Sequence, residues 1–139
     1  MIECMQGLHL TADLHGCDRV LAGMTDPQAL RALCLQAVAA AGLRPVGELF
    51  HRFPPPGGVT GVVLLAESHV AVHTWPELGA VTLDVYVCNL HADNGPRAQA
   101  LLAALEGAFA PQQVEHHSVH RGRLRLPLPA AKPQGPVAA

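Results

Sequence analysis

The run VTGVVLLAESHVAVHTWPELGAVTLDVYVC, Val59 to Cys88, decides the fold because it holds three strand-like segments in succession. The segments are rich in β-branched residues and are separated by a hinge near Ser68 and by the turn-forming residues 76–79, PELG. The third segment alternates an apolar set with a more polar set, which comprises Thr82, Asp84, Tyr86 and Cys88. Short connections favour antiparallel neighbours, so this run predicts the centre of an antiparallel sheet.

The flanking sequence adds further strands and two helices. GLHLTADLHGC (7–17) has the two-residue period of a strand, and residues 43–53 and 113–126 predict two more. Helical spacing predicts a helix after Thr25 or Asp26 as N-cap and another after Asn94. We therefore expect an α+β fold, a two-layer α/β sandwich with a mainly antiparallel sheet and both helices on one face. Dimerisation is expected to cover the other face.

Composition restricts the class of protein. The 139 residues fit one domain, expected over 1–125, and the Pro- and Ala-rich residues 126–139 predict a disordered tail. Only 14% of residues are charged and the formal net charge is -2, with scattered arginines and one lysine, so nucleic acid is not an expected ligand. No apolar run reaches the ~18 residues of a membrane span, so we expect a soluble, cytoplasmic protein without a membrane partner.

The four cysteines, Cys4, Cys17, Cys34 and Cys88, form no CxxC pair, which favours free thiols. Cys34 falls on the apolar stripe of the first helix and is expected to be a packing residue. Cys88 shares its strand face with polar residues, which favours a functional thiol.

Nine histidines raise the question of a metal site. His69 and His73 share a strand face but lie about 13 Å apart, too far to bind one ion, and His116 and His117 point to opposite faces. No metal site is therefore predicted. Ordinary polar-face roles are expected for His9, His15, His51, His91, His116, His117 and His120.

Ser68 and His73 are also candidates for a nucleophile and its base. Five residues of straight strand place them about 16 Å apart and on opposite faces, so they meet only if the chain turns near Ser68. No G-x-S-x-G sequence surrounds the serine, which excludes the usual α/β-hydrolase elbow.

The core ESHxxxHTWPE (67–77), with an aspartate and a cysteine following, resembles the prokaryotic S-adenosylmethionine decarboxylases, which are pyruvoyl enzymes. GLHLTADLHGC and HRFPPPGG (51–58) extend the resemblance to roughly residues 5–125. It implies a proenzyme that cuts itself between Glu67 and Ser68 and converts Ser68 to a pyruvoyl cofactor. That group would form a Schiff base with the substrate's α-amino group. The product would be decarboxylated S-adenosylmethionine, the aminopropyl donor for spermidine and other polyamines.

The resemblance also implies roles for neighbouring residues. Thr60 would stabilise the oxyanion during cleavage, His73 would remove the α-proton of Ser68, and Cys88 would protonate the decarboxylated substrate. Glu77 would bind the ribose hydroxyls and Phe53 would stack on the adenine. The cleaved protomers would form a homodimer.

Two alternatives stay open from the sequence. Leu78, Asn89 and His15 depart from residues frequent in the family, and pyruvoyl chemistry acts on any α-amino acid, so ornithine or arginine is an alternative substrate. From a different class, the chain could be a non-catalytic small-molecule or interaction module with Ser68 in an ordinary turn.

Overall fold

The computed structural model describes residues 4–89 and 92–125. It contains six strands: β1 (Cys4–His15), β2 (Pro45–Arg52), β3 (Val59–Leu65), β4 (Ser68–Trp75), β5 (Ala80–Cys88) and β6 (Gln113–Arg125). Two helices, α1 (Pro27–Ala40) and α2 (Gly95–Phe109), follow β1 and β5, and a short 3₁₀ turn (Ala22–Met24) precedes α1. The tail predicted for residues 126–139 lies outside the described residues.

The strands form one sheet in the order β2-β3-β4-β5-β1-β6, and every neighbouring pair is antiparallel. The two helices contact each other and pack on the same sheet face, which confirms the predicted α+β sandwich. Leu30, Leu101 and Phe109 on the helices are almost fully buried, as are Val81 and Val85 on β5. Each such side chain stabilises the fold by about 1.5–3 kcal/mol relative to an exposed one.

Both helices begin at the predicted caps, but only one of the two side chains makes a capping hydrogen bond. The Asp26 side chain accepts a hydrogen bond from the Gln28 N–H at 2.9 Å, so Asp26 caps α1 as expected. Asn94 occupies the cap position of α2, but its side chain makes no capping bond. Its amide nitrogen instead donates to the carbonyl of Cys88 at 2.8 Å, because α2 begins beside the end of β5. Asn94 therefore fastens α2 to that strand end.

The sheet face turned away from the helices is called the open face here, and His9, Thr60, His73, Asp84 and Tyr86 lie on it by strand alternation and register. It also carries large hydrophobic side chains that stay exposed: Leu49, Leu64, Trp75 and Val119. None of the helices in the described ranges is long and apolar enough to cross a membrane.

Candidate active site

The turn between β3 and β4 is strained. It consists of Ala66 and Glu67 only, with Leu65 paired to Ser68, and Glu67 has a φ of 57°. For a residue other than glycine, this left-handed backbone conformation costs on the order of 1–3 kcal/mol. The hinge predicted near Ser68 is therefore present, but it precedes Ser68, which is the first residue of β4.

Ser68 lies next to the end of β5. The backbone N–H of Cys88 donates to the Ser68 hydroxyl oxygen at 3.3 Å. Cys88 itself is buried, although by strand alternation it belongs to the polar set of β5. We call Glu67, Ser68 and Cys88 the serine cluster.

Thr60 and His73 are paired across β3 and β4 at the far end of the same hairpin. The Thr60 hydroxyl oxygen and His73 Nδ1 are 3.0 Å apart, which is a hydrogen-bond distance. The His73 ring also lies 5.9 Å from the Trp75 ring, centroid to centroid. The sheet register fixes the position of the His73 side chain, because directly paired residues on neighbouring strands have their side chains in contact.

A cavity of about 360 Å³ opens beside this pair. It is lined by loop residues before β3 and after β4 as well as by the strands: Phe53, Pro54, Pro56, Gly58, Thr60, His73, Thr74, Trp75 and Glu77. Phe53 and Glu77, to which the family resemblance gives nucleoside-binding roles, thus line one cavity with Thr60 and His73. We call these four residues the cavity cluster.

The structure keeps the two clusters apart. Ser68 begins β4 and His73 is its sixth residue, about 16 Å further along the strand, and the turn before Ser68 does not shorten that distance. The described hydrogen bonds pair His73 with Thr60, and Ser68 with the backbone of Cys88. Within one protomer, therefore, the predicted nucleophile and base do not meet.

Two other thiols have the character of packing groups. Burial raises the pKa of the Cys34 thiol to about 12, which leaves it uncharged and unreactive, and Cys34 packs in the core as predicted. Burial also raises the pKa of Cys17. Cys17, Cys34 and Cys88 are all free thiols.

One polar cluster of the open face was missed by sequence reasoning. His9, expected to be an ordinary polar residue, and His69 both hydrogen-bond to Asp84. The only hint in the sequence was the placement of Asp84 and Tyr86 on the polar side of their strand. His9 and Asp84 are 75 positions apart, so their contact follows from the strand order alone.

The architecture is that of an α+β two-layer sandwich, and its serine cluster and cavity cluster bring together residue types that suit an enzyme active site. The model of the S-adenosylmethionine decarboxylase family matches residues 8–122. The S-adenosylmethionine decarboxylase proenzyme of Archaeoglobus fulgidus is 38% identical over 116 residues, which cover 84% of this chain and 97% of the relative. The proenzyme of the same name from Methanococcus maripaludis is 33% identical over 116 residues, covering 84% and 89%.

A crystal structure of the adenosylmethionine decarboxylase from Aquifex aeolicus VF5 superposes with a TM-score of 0.75 at 35% identity. The match covers 85% of this chain and 92% of the crystallised one. The chain belongs to the S-adenosylmethionine decarboxylase family.

Proposed function

We propose that this chain is a self-processing, pyruvoyl-dependent decarboxylase of S-adenosylmethionine. Its product would be decarboxylated S-adenosylmethionine, the aminopropyl donor for spermidine. The observation that carries the proposal is the left-handed backbone of Glu67 immediately before Ser68, because cutting the chain after Glu67 would release the strain of that residue. The names of the relatives, which are proenzymes, support the same conclusion.

The cleavage uses atoms of the serine cluster. The Ser68 hydroxyl oxygen attacks the carbonyl carbon of Glu67, the C–N bond breaks, and the two segments stay joined as an ester. Removal of the Ser68 α-proton then expels the Glu67 carboxylate and leaves a dehydroalanine. Water hydrolyses that group with loss of ammonia, so the second chain begins with a pyruvoyl group. This group supplies the electrophilic carbonyl that takes up the electrons released with carbon dioxide.

The Thr60–His73 contact suits both of its proposed roles in one tautomer. If His73 carries its proton on Nδ1, it donates to the Thr60 oxygen, and the Thr60 hydroxyl proton is free for the developing oxyanion. His73 Nε2 is then unprotonated and can accept the α-proton. One hydrogen bond of 3.0 Å thus orients both the oxyanion donor, Thr60, and the base, His73.

We propose further that a complete site forms between two protomers. A substrate held by Phe53 and Glu77 lies at the cavity end of β4, about 16 Å along the strand from Ser68 of the same protomer. The exposed hydrophobic residues of the open face favour coverage by a second copy. A two-fold axis that lies between the stacked sheets and runs across the strands would place the cavity end of β4 in one protomer against the Ser68 end of β4 in its partner.

The direct test of the proposed function is carbon dioxide release from purified, cleaved protein offered S-adenosylmethionine, ornithine and arginine in separate reactions. We expect release from S-adenosylmethionine only, because Phe53 and Glu77 provide an aromatic face and a carboxylate for a nucleoside. Release from ornithine or arginine alone would overturn the substrate, and no release from any of the three would overturn the activity.

Replacing Glu67 by glycine is expected to slow cleavage. Glycine adopts a φ of 57° without strain, so Glu67→Gly should stabilise the uncut chain by about 1 kcal/mol and lower the cleavage rate about fivefold. The rate is measured by the appearance of the two fragments after synthesis. Ala66→Gly is the matched control, because it loosens the same turn without relieving Glu67. Equal slowing by both variants would show that turn flexibility, not strain, matters.

Cys88→Ala is expected to be cleaved but to decarboxylate poorly. Its backbone N–H still reaches Ser68, whereas the thiol that would protonate the product is lost, so kcat should fall roughly 10²-fold. Fragment masses and carbon dioxide release measure the two steps separately. Cys17→Ala, which removes a buried thiol elsewhere, should keep both. Full activity of Cys88→Ala would remove the thiol from the mechanism.

A further inference from the structure

Asp84 joins three strands on the open face. Its Oδ2 atom lies 3.1 Å from His9 Nε2 on β1 and 3.0 Å from His69 Nε2 on β4. Both histidines stand opposite Tyr86 in register, one on each side of β5, so a single carboxylate oxygen of the middle strand binds both neighbours. We call His9, Asp84 and His69 the His–Asp–His bridge.

Arg121 determines which nitrogen of His9 carries the proton. An arginine nitrogen lies 3.3 Å from His9 Nδ1, and a guanidinium can only donate, so His9 Nδ1 accepts. The proton of a neutral His9 is therefore on Nε2 and points at Asp84. The Arg121 guanidinium also lies 4.9 Å from the centre of the Tyr86 ring, which holds it in place.

The same three side chains could in principle surround a cation, because their ligand atoms all lie within 4.8 Å of one another. A metal bound to His9 Nε2 would, however, move the ring proton to Nδ1, where it would face the donor of Arg121. The guanidinium charge would also repel the ion. The contacts therefore favour a hydrogen-bonded bridge over a metal site.

The bridge is attached to the residue that follows the reactive serine. His69 is the second residue of β4, and Cys88 comes two residues after Tyr86 on the neighbouring strand. In the intact chain the Glu67–Ser68 bond also holds the start of β4. Once that bond is cut, Ser68 becomes a chain end, and His69 is the first residue behind it whose side chain is fastened to another strand.

We propose that Asp84 is a positioning residue for decarboxylation. By holding His69 it fixes the cut end of β4, and with it the pyruvoyl group, beside Cys88. This inference rests on the proposed cleavage between Glu67 and Ser68. Misplacement of a reacting group by about 1 Å can reduce the rate 10²-fold, so the tether matters for turnover more than for substrate binding, which involves the residues of the cavity cluster.

The test compares Asp84→Ala, His69→Ala and the double variant with wild type, measuring the cleaved fraction, kcat and KM for S-adenosylmethionine. Each single variant should be cleaved, with kcat reduced roughly 10- to 100-fold and KM changed less than about threefold. The double variant should be no slower than either single one, because all three lose the same tether. His69→Gln, which keeps a side-chain N–H donor, should recover much of kcat.

Asp13→Ala is the matched control. Asp13 is a half-buried aspartate on the same face of β1, outside the bridge, and its removal should leave kcat unchanged. A wild-type kcat in cleaved Asp84→Ala would overturn the inference, and so would equal losses in Asp13→Ala or additive losses in the double variant. If Asp84→Ala does not fold, His69→Ala and His69→Gln test the same tether from its other end.

Two further results distinguish the positioning role from a metal site and from a failure of the proposed function. Stabilisation of the wild type by added Zn²⁺ that disappears in Asp84→Ala, or loss of kcat with a chelator, would replace the bridge by a metal site. An uncut, inactive wild type would overturn the proposed function itself, whereas a cut and active wild type with an equally active Asp84→Ala would overturn the positioning role alone.

Discussion

Ser68→Ala is expected to remain a single uncut chain with no measurable decarboxylation. Alanine has no hydroxyl to attack the Glu67 carbonyl, and it cannot become a pyruvoyl group, so both steps lose their reacting atom. The wild type should separate into a chain ending at Glu67 and a chain beginning at residue 68. The second should be lighter by one ammonia than the peptide that begins with serine. Intact-mass measurement of the purified proteins distinguishes the two outcomes.

The control is Ser118→Ala, which removes an exposed serine hydroxyl on β6. It should be cleaved like the wild type. A wild type that stays intact, as Ser68→Ala does, would contradict self-processing. Fragments from Ser68→Ala with the same masses as wild-type fragments would instead point to an external protease.

Co-expression of Ser68→Ala with His73→Ala is expected to restore about a quarter of wild-type activity. Each variant alone should be inactive. In a mixed dimer with shared sites, one site receives both substitutions and the other receives the intact Ser68 of one protomer and the intact His73 of its partner. Random assembly gives about one half mixed dimers, each with one of its two sites intact, hence about one quarter of the activity.

Differently tagged protomers allow the mixed dimer to be purified and its fragments to be assigned by mass. Cleavage should occur in the protomer that carries His73→Ala, since its Ser68 faces the intact His73. Co-expression of two differently tagged copies of Ser68→Ala controls for effects of the tags and should give inactive protein. Absence of activity in the purified mixed dimer would show that Ser68 and His73 act within one protomer, contrary to the proposed arrangement.

The sequence contained enough information for the fold because local patterns determine most of it. Alternation along β5 identified its buried face, and the candidate caps Thr25 and Asp26 before Pro27 identified the start of α1. Asn94 was assigned as a cap because a residue type was considered without its neighbours. Its amide instead binds Cys88, whose proximity depends on how α2 packs.

The site was predictable in its parts but not in its arrangement. The strand spacing already indicated that Ser68 and His73 are far apart, and the structure shows no turn between them. The His–Asp–His bridge was not predictable, because it needs β1 beside β5. Local sequence patterns predict individual strands but not their order in the sheet.

The strand order also determines what the proposed cut does to the molecule as a whole. The segment before Ser68 supplies β1, β2 and β3, and the segment after it supplies β4, β5 and β6, yet β1 lies between β5 and β6. The two chains would therefore pair with each other at three places in the sheet: β3 with β4, β5 with β1, and β1 with β6. They would remain interlocked after cleavage, while refolding from separated chains would change from a one-molecule to a two-molecule process. Thermal unfolding of the mature dimer, which would release four chains, would then depend more steeply on protein concentration than unfolding of the uncut dimer, which would release two.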